Sequence, residues 1–337
     1  MRRAKHVALT LVRALGGFAV ARWVVGRSSV RILCYHGAWL GDDAFGGDSM
    51  FIRPETFRRR LELLRHGKYN VLTLDEAVAG LRGDTALPPR ATVITIDDGW
   101  YSTYAAMLPA LGEYGFPATL YCDTQHLQAG IPVPHLMARY FRLVAGRAHA
   151  LAEVEALRAR ALDLSLPESE RLPIALEYGR RLGLDTERYL NRRVFDYMTP
   201  SELRAFAAEP GMSIELHTHR HTLGDHGAEV VQRELADNRA ALGELLMRPP
   251  ERFTHFCYPS GDFAASDVAV FRDSGITSAT TTQRGLATRH SEPYLLPRIL
   301  DGDDVSEPEL LALLSGLVHL VRSTTRRQLT GYDRPLS

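Results

Sequence analysis

An α/β fold with a parallel sheet or barrel is predicted by three features of the chain. Short apolar runs rich in β-branched and aromatic residues recur, helical patterns lie between them, and polar clusters stand where two of the runs end. The runs fall at residues 30–35, 71–74, 92–96, 118–122, 213–216, 254–258 and 278–281. Between them, Pro54 opens a helical pattern in which Phe57, Leu61 and Leu64 share a face. A second helix is expected over Ala228–Leu246, with Val231, Leu235, Leu242 and Leu246 apolar among charged neighbours. Residues 133–208 break the alternation. Rich in Ala, Leu, Arg and Glu, with Pro167 and Pro200 placed to open helices, they read as a helical insertion. The insertion serves either as scaffold or as a lid over a substrate groove.

The 337 residues, 45% of them hydrophobic, suffice for one large domain or two modest ones. Lys and Arg number 40 and so do Asp and Glu, and no basic stripe with interleaved aromatics is visible, which argues against a nucleic-acid partner. Cys34, Cys122 and Cys257 are odd in number, widely spaced and set in apolar runs. They are expected to be buried thiols in a reducing compartment rather than a disulfide framework.

Residues 1–28 carry Arg2, Arg3 and Lys5 ahead of an apolar stretch, but Arg13 interrupts it and Arg22 ends it. The uninterrupted run is far short of the roughly 20 residues that span a bilayer. A charge inside the apolar core also fits a signal peptide poorly. A helix lying on a membrane surface or packed on the domain is expected instead, with the protein cytoplasmic or peripheral at the inner face of the membrane. Residues 29–300 then form the barrel, and 301–337 a C-terminal helix and tail.

Two clusters carry chemistry. In Val93-Ile94-Thr95-Ile96-Asp97-Asp98-Gly99-Trp100, a strand ends in adjacent carboxylates. Neighbouring residues at a strand end point in different directions, so one carboxylate can bind a metal while the other stays free as a base. A helix cap would need only one Asp. In His217-Thr218-His219-Arg220-His221, three imidazoles fall within five residues after a strand. If that segment turns helical, His217 and His221 face one side, the spacing that puts two nitrogens on one Zn²⁺, while His219 points elsewhere. His226 and His255 are isolated and read as structural. One carboxylate plus two imidazoles leaves open coordination positions, the mark of hydrolytic rather than structural metal sites.

The two motifs, in this order and separation, resemble the polysaccharide deacetylase (NodB-homology) family, carbohydrate esterase family 4. The resemblance covers about residues 29 to 300 apart from the insertion. It implies a distorted (β/α)₇ barrel, an acetylated glycan substrate and a divalent metal, with Zn²⁺ the expected ion. It assigns Asp98, His217 and His221 as ligands and Asp97 as catalytic base.

In Phe256-Cys257-Tyr258-Pro259-Ser260-Gly261, Cys257 stands where the family often has an arginine that tethers the base, and Ser260 where it has a tyrosine. The tyrosine acts through its backbone N–H in the oxyanion hole, so Ser260 can take that role. Cysteine cannot replace the arginine. Arg298 is a candidate substitute, with a surface ion pair as its other reading. The family's late general-acid histidine has no counterpart after Gly261. His36, ending the run Arg31-Ile32-Leu33-Cys34-Tyr35, is similar to the early histidine of the circularly permuted branch that processes exopolysaccharides such as poly-N-acetylglucosamine. Trp100, Tyr101 and Tyr258 are candidates to stack on sugar rings, with core packing as the alternative. Two other readings stand beside this one: a small-molecule amide hydrolase on the same fold, and a non-catalytic glycan-binding or assembly protein.

Overall fold

The computed structural model describes residues 2–25, 28–41, 50–146 and 151–326, so the tail beyond 326 within the expected C-terminal segment lies outside the described residues. Seven strands close a parallel barrel: β1 (Ser29–Tyr35), β2 (Ala91–Asp98), β3 (Ala118–Cys122), β4 (Met212–Leu216), β5 (His255–Cys257), β6 (Ser278–Arg284) and β7 (Leu296–Leu300). Each pairs with the next, and β1 closes the ring by pairing with both β2 (Arg31 opposite Thr92 through Tyr35 opposite Ile96) and β7 (Leu33 opposite Ile299). This is the predicted (β/α)₇ barrel.

Helices α1 (Arg2–Ala14) and α2 (Gly17–Val25) precede β1. Helices α3 (Pro54–His66) and α4 (Leu74–Arg82) lie between β1 and β2, and α5 (Leu108–Tyr114) between β2 and β3. Helix α6 (Gln125–Ala129) follows β3, and the insertion then supplies α7 (Pro134–Ala145), α8 (Ala152–Leu162), α9 (Glu168–Arg181), α10 (Thr186–Asn191) and α11 (Pro200–Ala208) before β4. Then come α12 (Ala228–Leu246), α13 (Ala265–Asp273), α14 (Glu307–Ser315) and α15 (Leu317–Arg326). Pro54 and Pro200 open their helices as expected, because proline's missing N–H costs nothing in the first turn. Pro167 is instead the cap of α9. At α11 the Thr199 hydroxyl and the Glu202 carboxylate exchange bonds with each other's backbone N–H, satisfying two orphan donors.

The alternation of strand side chains divides the core. Val30, Ile32, Val93, Tyr121, Cys257 and Leu296 form one apolar cluster with Leu74, Ala77, Val78 and Leu81 of α4. Leu33, Tyr35, Ile94, Ile96, Leu120 and Leu216 belong to another, packed under the surrounding helices.

One expected strand fails and one unforeseen strand replaces it. The run 71–74 is not a barrel strand: Asn70–Val71 pairs briefly at the start of β2, and Thr73 already caps α4. Its place in the ring is taken by β7, which the sequence hides behind Pro297 and Arg298. Pro297 is tolerated there because the register against β6 shifts between Leu296 and Arg298.

Candidate active site

Asp97 and Asp98 end β2 at the C-terminal mouth. Asp97 continues the strand's alternation and is bonded by residues of the barrel interior. Asp98 has φ 77°, a left-handed conformation that breaks the alternation and turns its carboxylate toward the β4 loop. There its Oδ1 lies 3.4 Å from His217 Nε2 and 3.3 Å from His221 Nε2. This oxygen is buried and accepts no hydrogen bond. Ligand atoms about 2.0–2.1 Å from one tetrahedral Zn²⁺ sit about 3.3–3.4 Å apart, so the carboxylate and imidazole atoms fit a shared cation.

The surroundings orient each of the three. Trp100 Nε1–H donates to Asp98 Oδ2 at 2.7 Å, leaving Oδ1 free. His217 Nδ1 is 2.7 Å from the Cys257 carbonyl, which can only accept. The proton is therefore on Nδ1, and Nε2 is the nitrogen turned toward Asp98. Asn238 accepts from the His217 N–H and donates to the Cys122 carbonyl and the Thr124 hydroxyl. The loop is not the helical turn that the spacing suggested. Thr218 and His221 take positive φ, and His219 turns away to Thr124 Oγ1 at 2.8 Å. Burial opposes charge on Asp98, but the two imidazoles outweigh it and hold the carboxyl well below the usual carboxylate range.

Arg298 is 1% exposed, which excludes a surface pair. Its NH1 donates to Asp97 Oδ1 at 2.7 Å and its NH2 to Oδ2 at 2.8 Å, a bidentate clamp. Burial disfavours the Asp97 anion, yet the guanidinium beside it keeps the carboxyl below its ordinary value. Cys34 and Cys257 approach Asp97 Oδ2 at 3.6 Å each, and all three cysteines are buried and free. Burial pushes the Cys34 thiol well up, so it stays neutral beside the carboxylate. His36 follows β1, and its Nε2 stands 3.8 Å from Asp97 Oδ2 with the ring partly exposed. Ser260, exposed and left-handed at φ 56°, has a backbone N–H with no acceptor among the described residues. The turn depends on Gly261, where an added Cβ would fall 1.9 Å from Thr282 Oγ1.

The aromatic candidates need correcting. Trp100 is 1% exposed and holds Asp98. Tyr258 is wholly buried among Phe256, Phe263 and Phe271. Neither is placed to stack on a sugar, since both rings lie in the apolar core beneath the mouth. Tyr101 is partly exposed, but Arg193 covers one face, 3.7 Å from the ring centroid.

Sequence reasoning missed the wall beside the site. The Tyr197 hydroxyl donates to Asp123 Oδ2 at 2.6 Å, and Tyr197 packs on Trp100. Met198 N–H donates to the Gly99 carbonyl, so the insertion docks directly on the Asp-Asp-Gly turn. Asp123 Oδ1 and Glu168 Oε1 grip opposite nitrogens of His126 at 2.8 and 3.2 Å. Asn238 was detectable: it interrupts the apolar row Val231–Leu235–Leu242–Leu246 at a position facing the core.

Although burial works against its charge, Asp123 and Glu168 push His126 up to about 10. A raised histidine stabilises the fold fully below its unfolded value near 6.5, and that contribution fades as pH climbs through about 10. Glu168→Gln is expected to cost about 1–2 kcal/mol at pH 7. The difference from wild type should shrink above pH 10. Denaturant titrations at the two pH values check this, and an equal deficit at both would remove His126 as the cause.

Comparison with known proteins places this geometry in a class. The polysaccharide deacetylase family model matches residues 84–279, and the chain belongs to that family. It is therefore an enzyme, a polysaccharide deacetylase, which sets aside the non-catalytic reading. YxkH of Bacillus subtilis (strain 168), named for the same family, is 22% identical over 269 residues, 80% of this chain and 70% of that protein. The poly-β-1,6-N-acetyl-D-glucosamine N-deacetylase of Escherichia coli (strain K12) is 31% identical over 77 residues, 23% of this chain but 12% of that protein. The Streptococcus pyogenes deacetylase PplD, solved with acetate, superposes with a TM-score of 0.59 at 17% identity, covering 86% of this chain and 99% of that one. That likeness supports the fold.

Proposed function

We propose that the chain removes N-acetyl groups from amino sugars of an exopolysaccharide of the poly-N-acetylglucosamine type. Asp98, His217 and His221 would hold a divalent cation, Zn²⁺ by the chemistry of one carboxylate and two imidazoles. The observation that carries this reading is Asp98 Oδ1, buried, without a hydrogen bond, and 3.3–3.4 Å from two imidazole nitrogens. A cation bound there supplies Lewis acidity toward a carbonyl oxygen and acidifies a water. Asp97, fixed by Arg298, takes the proton of the attacking water. The free Ser260 N–H donates to the oxyanion, and His36 returns a proton to the departing nitrogen. The short match to the Escherichia coli enzyme and the position of His36 directly after the first strand support the substrate class.

His217→Ala and His221→Ala are each expected to abolish tight metal binding and acetate release from N-acetylglucosamine oligomers. Elemental analysis of dialysed protein, with acetate assayed in parallel, checks both. Unchanged metal content in both variants would defeat the ligand assignment. Turnover of small acetamides but not of oligomers would favour the small-molecule hydrolase instead.

A further inference from the structure

Ten large hydrophobic residues are strongly exposed among the described residues, and six of them lie on the terminal helices or in the turn joining the first two: Leu11, Leu15, Val20, Trp23, Val24 and Val321. The inward side of α2 is a normal core face, with Phe18 and Ala21 buried. Its outward side is apolar too, with Trp23 83% exposed, and Leu15 in the turn before it is 85% exposed. A soluble surface rarely gathers apolar side chains in this way without a partner.

The charge around them is one-sided. Residues 1–28 hold Arg2, Arg3, Lys5, Arg13, Arg22 and Arg27 and no acidic residue. Because the whole chain has 40 basic and 40 acidic residues, everything after residue 28 is net acidic by six. Arg13 does lie 3.8 Å from Glu307, yet both side chains are more than half exposed, so that pair is weak. Helices α1 and α2 meet at 75°, and no single helix is long and apolar enough to cross a membrane. Two short helices at an angle, apolar outward and flanked by arginines, match an interfacial seat rather than a span. An exposed tryptophan among them is the residue type that settles at the headgroup level.

From these observations we infer that the outer face of α1, α2 and the neighbouring Val321 of α15 seats the protein on an anionic lipid bilayer. The seat follows α14 along the flank of the barrel. Arg13 reaches Glu307 at the start of that helix, and Val25 meets Gly316 at its end.

The test is flotation of the full chain with phosphatidylcholine vesicles, with and without phosphatidylglycerol. Trp39 and Trp100 are buried, so Trp23 reports contact alone, by a shift of emission to shorter wavelength. Co-flotation and the emission shift are expected with the anionic vesicles, weakening as salt rises. Trp23→Ser combined with Leu15→Ser, both at exposed positions, should lower binding roughly tenfold or more while acetate release stays unchanged. Failure to float with anionic vesicles, or equal binding by the double variant, would overturn the inference. So would a concentration-dependent dimer abolished by the same substitutions, because the face would then belong to a second copy.

Discussion

Asp97→Asn is expected to lower acetate release by about 10²–10⁴-fold, the usual contribution of a positioned base, while metal content stays at the wild-type level. The two carboxylates are adjacent in sequence but not in environment. Asp98 spends one oxygen on Trp100 and aims the other between two imidazoles. Asp97 is clamped by Arg298 and touches no group of the ligand set closely enough to hydrogen-bond. An amide at position 97 cannot accept a proton from water, and its NH₂ would face the guanidinium. Leaving Arg298 without its buried anion should also destabilise the protein, by about 3–5 kcal/mol. The rate is therefore to be read on the folded fraction, established by near-UV circular dichroism. Loss of metal in Asp97→Asn but not in Asp98→Asn would exchange the two roles.

His36→Ala should cost a comparable factor on an unactivated acetamide, about 10²–10⁴-fold, and much less on an activated acetyl ester. An amine is a poor leaving group unless it is protonated as it departs, whereas a phenolate leaves unaided. The ring is suitably placed. It is partly open to solvent and 3.8 Å from the base, and its Nδ1 is buried without a partner. Steady-state rates on both substrate types decide the matter. An equal loss on amide and ester would make His36 a structural residue, and normal amide turnover would remove it from the mechanism.

Much of this site was legible in the sequence, and the parts that were not have physical reasons. The runs at 92–96 and 118–122 stood out because strands buried on both faces are rich in apolar and β-branched residues. The Asp-Asp-Gly and His-x-x-x-His clusters stood out because such polar density at strand ends is costly unless it is used. Strand β7 did not, since a bulge admits Pro297 and a buried Arg298 into a strand that no periodicity describes. The roles of Trp100 and Tyr258 were misread because an aromatic residue beside a motif looks the same whether it meets a sugar or supports a ligand from below. Asp123, Tyr197 and Glu168 were missed because their meeting depends on how the insertion folds back. Sequence spacing carries no trace of that.

The clamp on Asp97 has a consequence for biosynthesis. Every proposed metal ligand has been synthesised by residue 221, but the partner of the base belongs to β7, which is the last strand of the ring. Until β7 docks against β1 and β6, Asp97 faces a barrel with one stave absent and no guanidinium to offset its burial. Such a carboxyl would take up a proton and cease to be a base. A nascent or truncated chain ending before residue 298 would then be able to gather metal yet remain inert. Hydrolytic competence would arrive in a single step, with closure of the ring.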